Sequence, residues 1–180
     1  LQSRGLGDVY KRQEYGSIRA ANMVQEGKLD LALVNMHFYE IDKLNSFTVM
    51  NDKIVFCVSK SHPLAKCHEV TIEMIKNEPL IMYNTDSVQN ETLDTAFKRA
   101  GVNPNVILHA SQLYTIRNFI CNNLGGAFLY SSLQKNLSGT TGIPISPVIN
   151  QNIGIVWKKG SYTTDSAEKF ITYIINKYSN

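Results

Sequence analysis

The chain is predicted to fold as an α/β protein, and three observations carry that prediction. From residue 14 onward, segments with helical apolar spacing alternate with short apolar runs of strand length. Several of those runs, Leu31-Ala32-Leu33-Val34 above all, contain no polar residue, the pattern of a strand covered on both faces in a parallel sheet. Glycines and polar clusters stand where helices should end and begin, as at Gly27, Gly101 and Asn84-Thr85-Asp86-Ser87.

Taken in order, Ile18, Ala21 and Gln25 recur at helical spacing, so a first helix is expected from Gly16 to Glu26, closed by Gly27 and followed by a strand over Leu31 to Val34. Phe47-Thr48-Val49-Met50 and Ile54-Val55-Phe56-Cys57-Val58 read as two separate strands. Pro63 takes the chain out of the sheet, and Thr71 to Lys76 reads as a short helix capped by Thr71. Pro79 to Tyr83 is a strand, Gln89 to Ala100 a helix, and Val106 to Ala110 a strand. Ser111-Gln112 should then cap a helix running to Asn123. Gly125 to Tyr130 and Ile153 to Trp157 are the remaining strands. Asp165 to Tyr178 is the last helix, with Asp165 and Glu168 at capping-box spacing.

A chain of 180 residues, 43% of them hydrophobic, can bury a core as one domain or two small ones. No run approaches the roughly 18 apolar residues that span a bilayer. Leu1 to Gln13 lacks the apolar centre of a secretory signal, so a cytoplasmic location is expected. Cys57, Cys67 and Cys121 are an odd, scattered set that suits a reducing compartment. Of the net charge of +3, most comes from Arg4, Lys11 and Arg12 in the first thirteen residues, and no basic cluster elsewhere marks a nucleic-acid surface. Residues 1–13 show neither strand alternation nor a helical stripe; they read as a non-native leader or as an ordinary flexible terminus.

Ligands of open α/β sheets sit beyond the carboxyl ends of strands. That rule singles out Asn35 and Met36, with His37 and Phe38 next to them. Thr85, Asp86 and Ser87 precede one helix and Ser111 and Gln112 another, where free N–H groups and the helix dipole favour an anion. Ordinary capping explains each Ser, Thr or Asp among them without any ligand, and the charge of Asp86 would repel a carboxylate unless neutralised. Tyr83 and Tyr130 are aromatic candidates for a pocket wall, with Phe38, Tyr39 and Tyr114 read as packing. Arg117 lies well inside a helix, where a structural role is expected.

The order of segments resembles the effector-binding domain of LysR-type transcriptional regulators. The residues that carry the resemblance are Leu29 to Val34, Phe56 to Ala65 with its His62-Pro63-Leu64-Ala65, Asn123 to Leu129, and Ile155 to Gly160 with the terminal amphipathic helix. The resemblance covers residues 14–180. It implies two Rossmann-like lobes, a clamshell related to type 2 periplasmic binding proteins, joined by two crossing hinge strands near Val58 to Lys60 and Asn152 to Ile155. Lobe one is expected to hold residues 14–59 and 154–180, and lobe two residues 60–153, with the turns at Thr85 and Ser111 facing the cleft.

In that family a helix-turn-helix, a linker helix, a first strand and a first helix precede this region, so the resemblance implies that the chain is N-terminally truncated and reaches DNA only through the missing helix-turn-helix. It further implies a small-molecule effector, an organic or aromatic acid, and a homodimer or tetramer in the full-length protein, with Glu91 to Ala100 as the lobe-two pairing helix. Peroxide-sensing relatives carry a reactive thiol near the turn after Tyr83, where this chain has Asn, Thr, Asp and Ser, so redox sensing is not expected. Cys67, His68 and His62 lack a fourth ligand at structural-zinc spacing, and neither a metal nor a cofactor is expected. The chain has no nucleophile elbow and no phosphate-binding loop, so it is not expected to be an enzyme. A solute-binding protein of the same fold is the alternative, followed by a clamshell enzyme using His37 or Asp86.

Overall fold

The computed structural model describes residues 15–36, 43–85, 87–160 and 164–179. The elements are α1 (Ser17–Gln25), β1 (Leu31–Asn35), β2 (Leu44–Ser59), β3 (Leu80–Met82), α2 (Val88–Arg99), β4 (Val106–His109), α3 (Leu113–Cys121), β5 (Gly126–Tyr130), α4 (Ser131–Gln134), β6 (Thr140–Pro144), β7 (Asn150–Lys158) and α5 (Asp165–Tyr178). The α/β expectation holds.

Strand β2 organises the molecule. Its first part, Leu44 to Lys53, pairs antiparallel with β7, whose other edge carries β1. Its second part leaves β7 and pairs antiparallel with β5 from Ile54 and with β6 from Val55. In that second sheet β5, β3 and β4 run parallel. The two segments read as separate strands, Phe47 to Met50 and Ile54 to Val58, are therefore one 16-residue strand. Asn51-Asp52-Lys53 looks like a turn by composition, but these residues stay extended because β7 supplies ladder partners for them, Asn51 opposite Asn152 and Lys53 opposite Asn150. The change of partner lies at Lys53 and Ile54, earlier than the crossing expected near Val58 to Lys60.

Both faces of the second sheet are covered. Ile54, Phe56 and Val58 point into one core with Leu93 and Phe97 of α2, whereas Val55 and Cys57 point into another with Ile116 and Ile120 of α3. An unbroken apolar run is what two covered faces require. Phe128 sits between Phe56 and Phe97, with ring centroids 5.3 and 5.9 Å away and tilted or edge-on geometry. Gly126 lets β5 lie close to the Phe56 ring, since a Cβ at that position would overlap it.

The same argument fails for β1. Ala32 and Val34 pack under Ala20, Ala21 and Val24 of α1, but Leu33 is 63% exposed. Among the described residues β1 pairs only with β7, antiparallel, and alternates between a covered and an open face despite its apolar composition. Further differences are local. Residues 72–77 form turns instead of a helix, with i to i+3 bonds Lys76 N–H to Glu73 O and Glu78 N–H to Ile75 O. Buried Ile72 and Ile75 match that tighter spacing. Thr71 still accepts a bond from Met74 N–H. At α5 the cap is Thr164, which accepts from Ala167 N–H, so Asp165 and Glu168 make no capping box and instead place two carboxylates in the first turn. The helix ends are as expected: Lys28 N–H reaches Met23 O around Gly27, and Val102 N–H reaches Phe97 O around Gly101, both Schellman closures.

Candidate functional site

The parallel arrangement of β3, β4 and β5 brings their carboxyl ends to one edge of the second sheet. From that edge the chain turns into the N-termini of α2, α3 and α4. β2 enters the second sheet at this edge, because Ile54 lies opposite Tyr130, and the first sheet adjoins it. The carboxyl end of β1 reaches the same place, where Asn35 Nδ2 donates to the Tyr130 hydroxyl at 3.0 Å and to Gln151 Oε1. Asn35 N–H donates to Ser17 Oγ at the start of α1, 3.1 Å away. Asn35 and Gln151 are buried, so the amide pair of β1 and β7 is a fixed polar contact within the first sheet, and the bond from Asn35 to Tyr130 carries it across to the second.

Tyr130 and Tyr83 stand close enough to influence each other. Burial first, and then the neighbouring Tyr130 and Cys57, push the Tyr83 phenol up to about 12. Tyr130 is also raised by burial, while the bond from Asn35 pulls it down and Asp52 pushes it up. The Tyr83 carbonyl lies 3.0 Å from His109 Nδ1, which ties the end of β4 to the end of β3.

The helix N-termini at this edge differ in what satisfies them. At α2, Ser87 Oγ accepts from Asn90 N–H at 3.1 Å, so the capping reading of Ser87 is realised. At α4, the Asp52 carboxylate accepts from Ser132 N–H and Oγ. A carboxylate on a helix N-terminus is thus built into the fold, in the geometry a bound anion would use. At α3, Gln112 occupies the cap position but makes no side-chain cap bond, contrary to the expectation that Ser111-Gln112 caps this helix. Both residues are exposed, so among the described residues the N-cap side chain leaves the first-turn N–H groups of α3 unsatisfied.

The structure therefore brings Asn35, Tyr83 and Tyr130 together and sets the turns of Thr85, Ser87, Ser111 and Gln112 on the same edge. Thr85 is exposed there. Met36 is elsewhere: its side chain packs on Gly154 and the core under α1. Asp86, His37, Phe38 and Tyr39 lie outside the described residues. Arg117 donates to Ser138 O and Oγ at 3.0 and 3.1 Å, the structural role expected of it. Burial pushes the Cys57 thiol up and keeps it protonated. Among the described residues no group of three or more His, Cys, Asp or Glu is placed to hold a metal ion, and no helix is long and apolar enough to cross a membrane. Sequence reasoning missed Asp52, Gln151 and Ser17. Asp52 and Gln151 sit opposite each other in the ladder of two strands that were read as ending short of them, so nothing in their spacing marked them.

Residues 13–179 match the LysR substrate binding domain family. The chain belongs to that family. Among its relatives, the HTH-type transcriptional regulator YwbI of Bacillus subtilis (strain 168) is 30% identical over 168 residues, covering 92% of this domain and 56% of that protein. The domain spans about half the length of the curated relatives it matches first. Among solved structures, the regulatory domain of Synechocystis PCC6803 CcmR in complex with 2-PG superposes with a TM-score of 0.82 at 20% identity, over 92% of this domain and 81% of that chain. The effector binding domain of QuiR in complex with shikimate superposes with a TM-score of 0.79 at 15% identity, over 92% and 79%. These likenesses identify the type 2 periplasmic-binding-protein-like fold.

Proposed function

We propose that this domain senses a small organic anion at the edge where β1, β3, β4 and β5 end, between the two sheets, as the ligand-responsive part of a LysR-type transcriptional regulator. The observation that carries the reading is the N-terminus of α3, which has no side-chain cap, on the same sheet edge as an α4 N-terminus already holding the Asp52 carboxylate. The polar wall, Thr85, Ser87, Ser111 and Gln112, offers hydroxyls and backbone N–H groups to a carboxylate. Tyr83 and Tyr130 offer a half-buried aromatic surface to its body. The ligands bound in the two structural relatives, 2-PG and shikimate, favour the same class of effector.

In the full-length regulator the ligand would favour one arrangement of the two sheets about the crossing at Lys53 and Asn150, and that shift would be passed to a DNA-binding helix-turn-helix outside residues 1–180. The regulator would act as a homodimer or tetramer in the cytoplasm. The domain would perform no chemistry of its own, and the residues that a clamshell enzyme would need, His37 and Asp86, lie outside the described residues. A thermal-shift series with organic anions tests the proposal, because a ligand bound only to the native state raises the midpoint with concentration. Shifts that vanish in a Thr85→Ala, Ser87→Ala, Ser111→Ala triple variant support it. Shifts that persist unchanged in that variant sink it.

A further inference from the structure

A cavity of about 550 Å³ opens between the outer face of α2 and the connection from β6 to β7. It lies off the cleft, since α2 lines it with Thr92, Thr95, Ala96 and Arg99, beyond the turn that Ser87 caps. Ile72 and Ile145 are buried in its floor, with half-buried Ile149 beside them. A volume of this size is in the range of small-molecule sites.

The polar groups on its wall specify what fits. The Thr92 and Thr95 hydroxyls spend their protons on helix carbonyls, to Val88 O at 2.8 Å and Glu91 O at 3.0 Å, so toward the cavity they can only accept. Glu73 adds a carboxylate, held below the usual range by hydrogen bonds from its own N–H and the Thr71 hydroxyl and therefore charged. Arg99 is the opposite case: an exposed guanidinium with no ion pair or hydrogen bond among the described residues. An occupant must therefore bring a cationic donor for the acceptors, an anionic acceptor for Arg99, and an apolar body for the isoleucine floor.

We infer that this groove is a second small-molecule site, for an α-amino acid with an apolar side chain: carboxylate on Arg99, ammonium toward Glu73 and the threonine hydroxyls, side chain over Ile72, Ile145 and Ile149. Its position links it to the crossing of the two sheets. The wall segment ends at Asn150, which pairs with Lys53 where β2 changes partner, and Ile149 O accepts from Ile54 N–H at 2.9 Å. On the function proposed above, an occupant would stiffen the joint about which the two sheets move.

The test is a titration of the 15N-labelled 180-residue chain with L-phenylalanine, followed by amide shifts. Saturable shifts are expected at Ala96, Arg99, Val148 and Ile149. 3-Phenylpropionate, which lacks the ammonium, and 2-phenylethylamine, which lacks the carboxylate, should each bind about tenfold more weakly. Arg99→Gln should reduce L-phenylalanine affinity about tenfold and leave 2-phenylethylamine unaffected; Glu73→Gln should do the converse for 3-phenylpropionate. Both side chains are exposed, so neither substitution threatens the fold. Equal binding of the three probes, affinity unchanged in Arg99→Gln, or shifts confined to Asn35, Ser111 and Tyr130 would overturn the assignment. So would a concentration-dependent dimer that Ala96→Trp abolishes while no amino acid binds, which would give the groove to a second copy of the chain.

Discussion

Replacing Asn35 by alanine removes the amide that bridges the sheets. Its Nδ2 serves Gln151 Oε1, on a residue with no solvent exposure, and the half-buried Tyr130 hydroxyl. Leaving a buried acceptor without its donor costs about 1–3 kcal/mol, while the Tyr130 hydroxyl, able to find water, adds about 0.5–1 kcal/mol. The expected loss is therefore about 2–3 kcal/mol, a fall in Tm of about 5–10 °C for a domain of this size. Tyr130→Phe removes only one of the two bonds and should cost about 1 kcal/mol. Because both substitutions break the same bond, the double variant should lose about 0.5–1.5 kcal/mol less than the two single losses added together. Urea unfolding monitored by far-ultraviolet circular dichroism measures all four species. An Asn35→Ala loss under 0.5 kcal/mol, or strict additivity with Tyr130→Phe, would show that the bridge does not hold the sheets together.

Other outcomes follow from the same geometry. The Tyr83 phenol, raised to about 12 in the folded chain from an ordinary value near 10, contributes stability that is full below pH 10 and lost as pH rises toward 12. The amount is about 3 kcal/mol, at about 1.4 kcal/mol for each unit of the rise, and Tyr83→Phe should flatten the stability profile in that window. Ser87→Ala should cost about 1 kcal/mol through its lost cap on Asn90 N–H. Ser111→Ala, at an exposed residue that caps nothing, should stay within about 0.5 kcal/mol in the same unfolding assay while weakening anion binding. Phe97→Ala opens a cavity against Phe128 and should cost about 3–5 kcal/mol by urea unfolding.

What the sequence made legible was whatever depends on neighbours a few residues away. The Schellman ends at Gly27 and Gly101 were visible because only a left-handed residue closes a helix that way. The turns before α2 and α3 were visible from their polar clusters. Long-range pairing was not. Leu31 to Val34 and Ile54 to Val58 are equally apolar, yet one is covered on both faces and the other leaves Leu33 open, because burial depends on what the rest of the chain stacks against each strand. Asn51-Asp52-Lys53 has the composition of a turn and was held extended by β7, a partner about a hundred residues away whose register no local pattern encodes. The same blindness hid Asp52 and Gln151 from the site. Met36 was placed at the strand end correctly, but the direction of its side chain, onto Gly154, was set by the strand pleat and a missing Cβ.

The most direct measurement is amide-shift mapping of the 15N-labelled chain with an organic anion that raises its thermal midpoint. The account predicts saturable shifts at Asn35, Tyr83 to Ser87, Ser111 to Leu113 and Tyr130, with binding lost when Thr85, Ser87 and Ser111 are all replaced by alanine. Saturable binding that leaves those amides unmoved would contradict it.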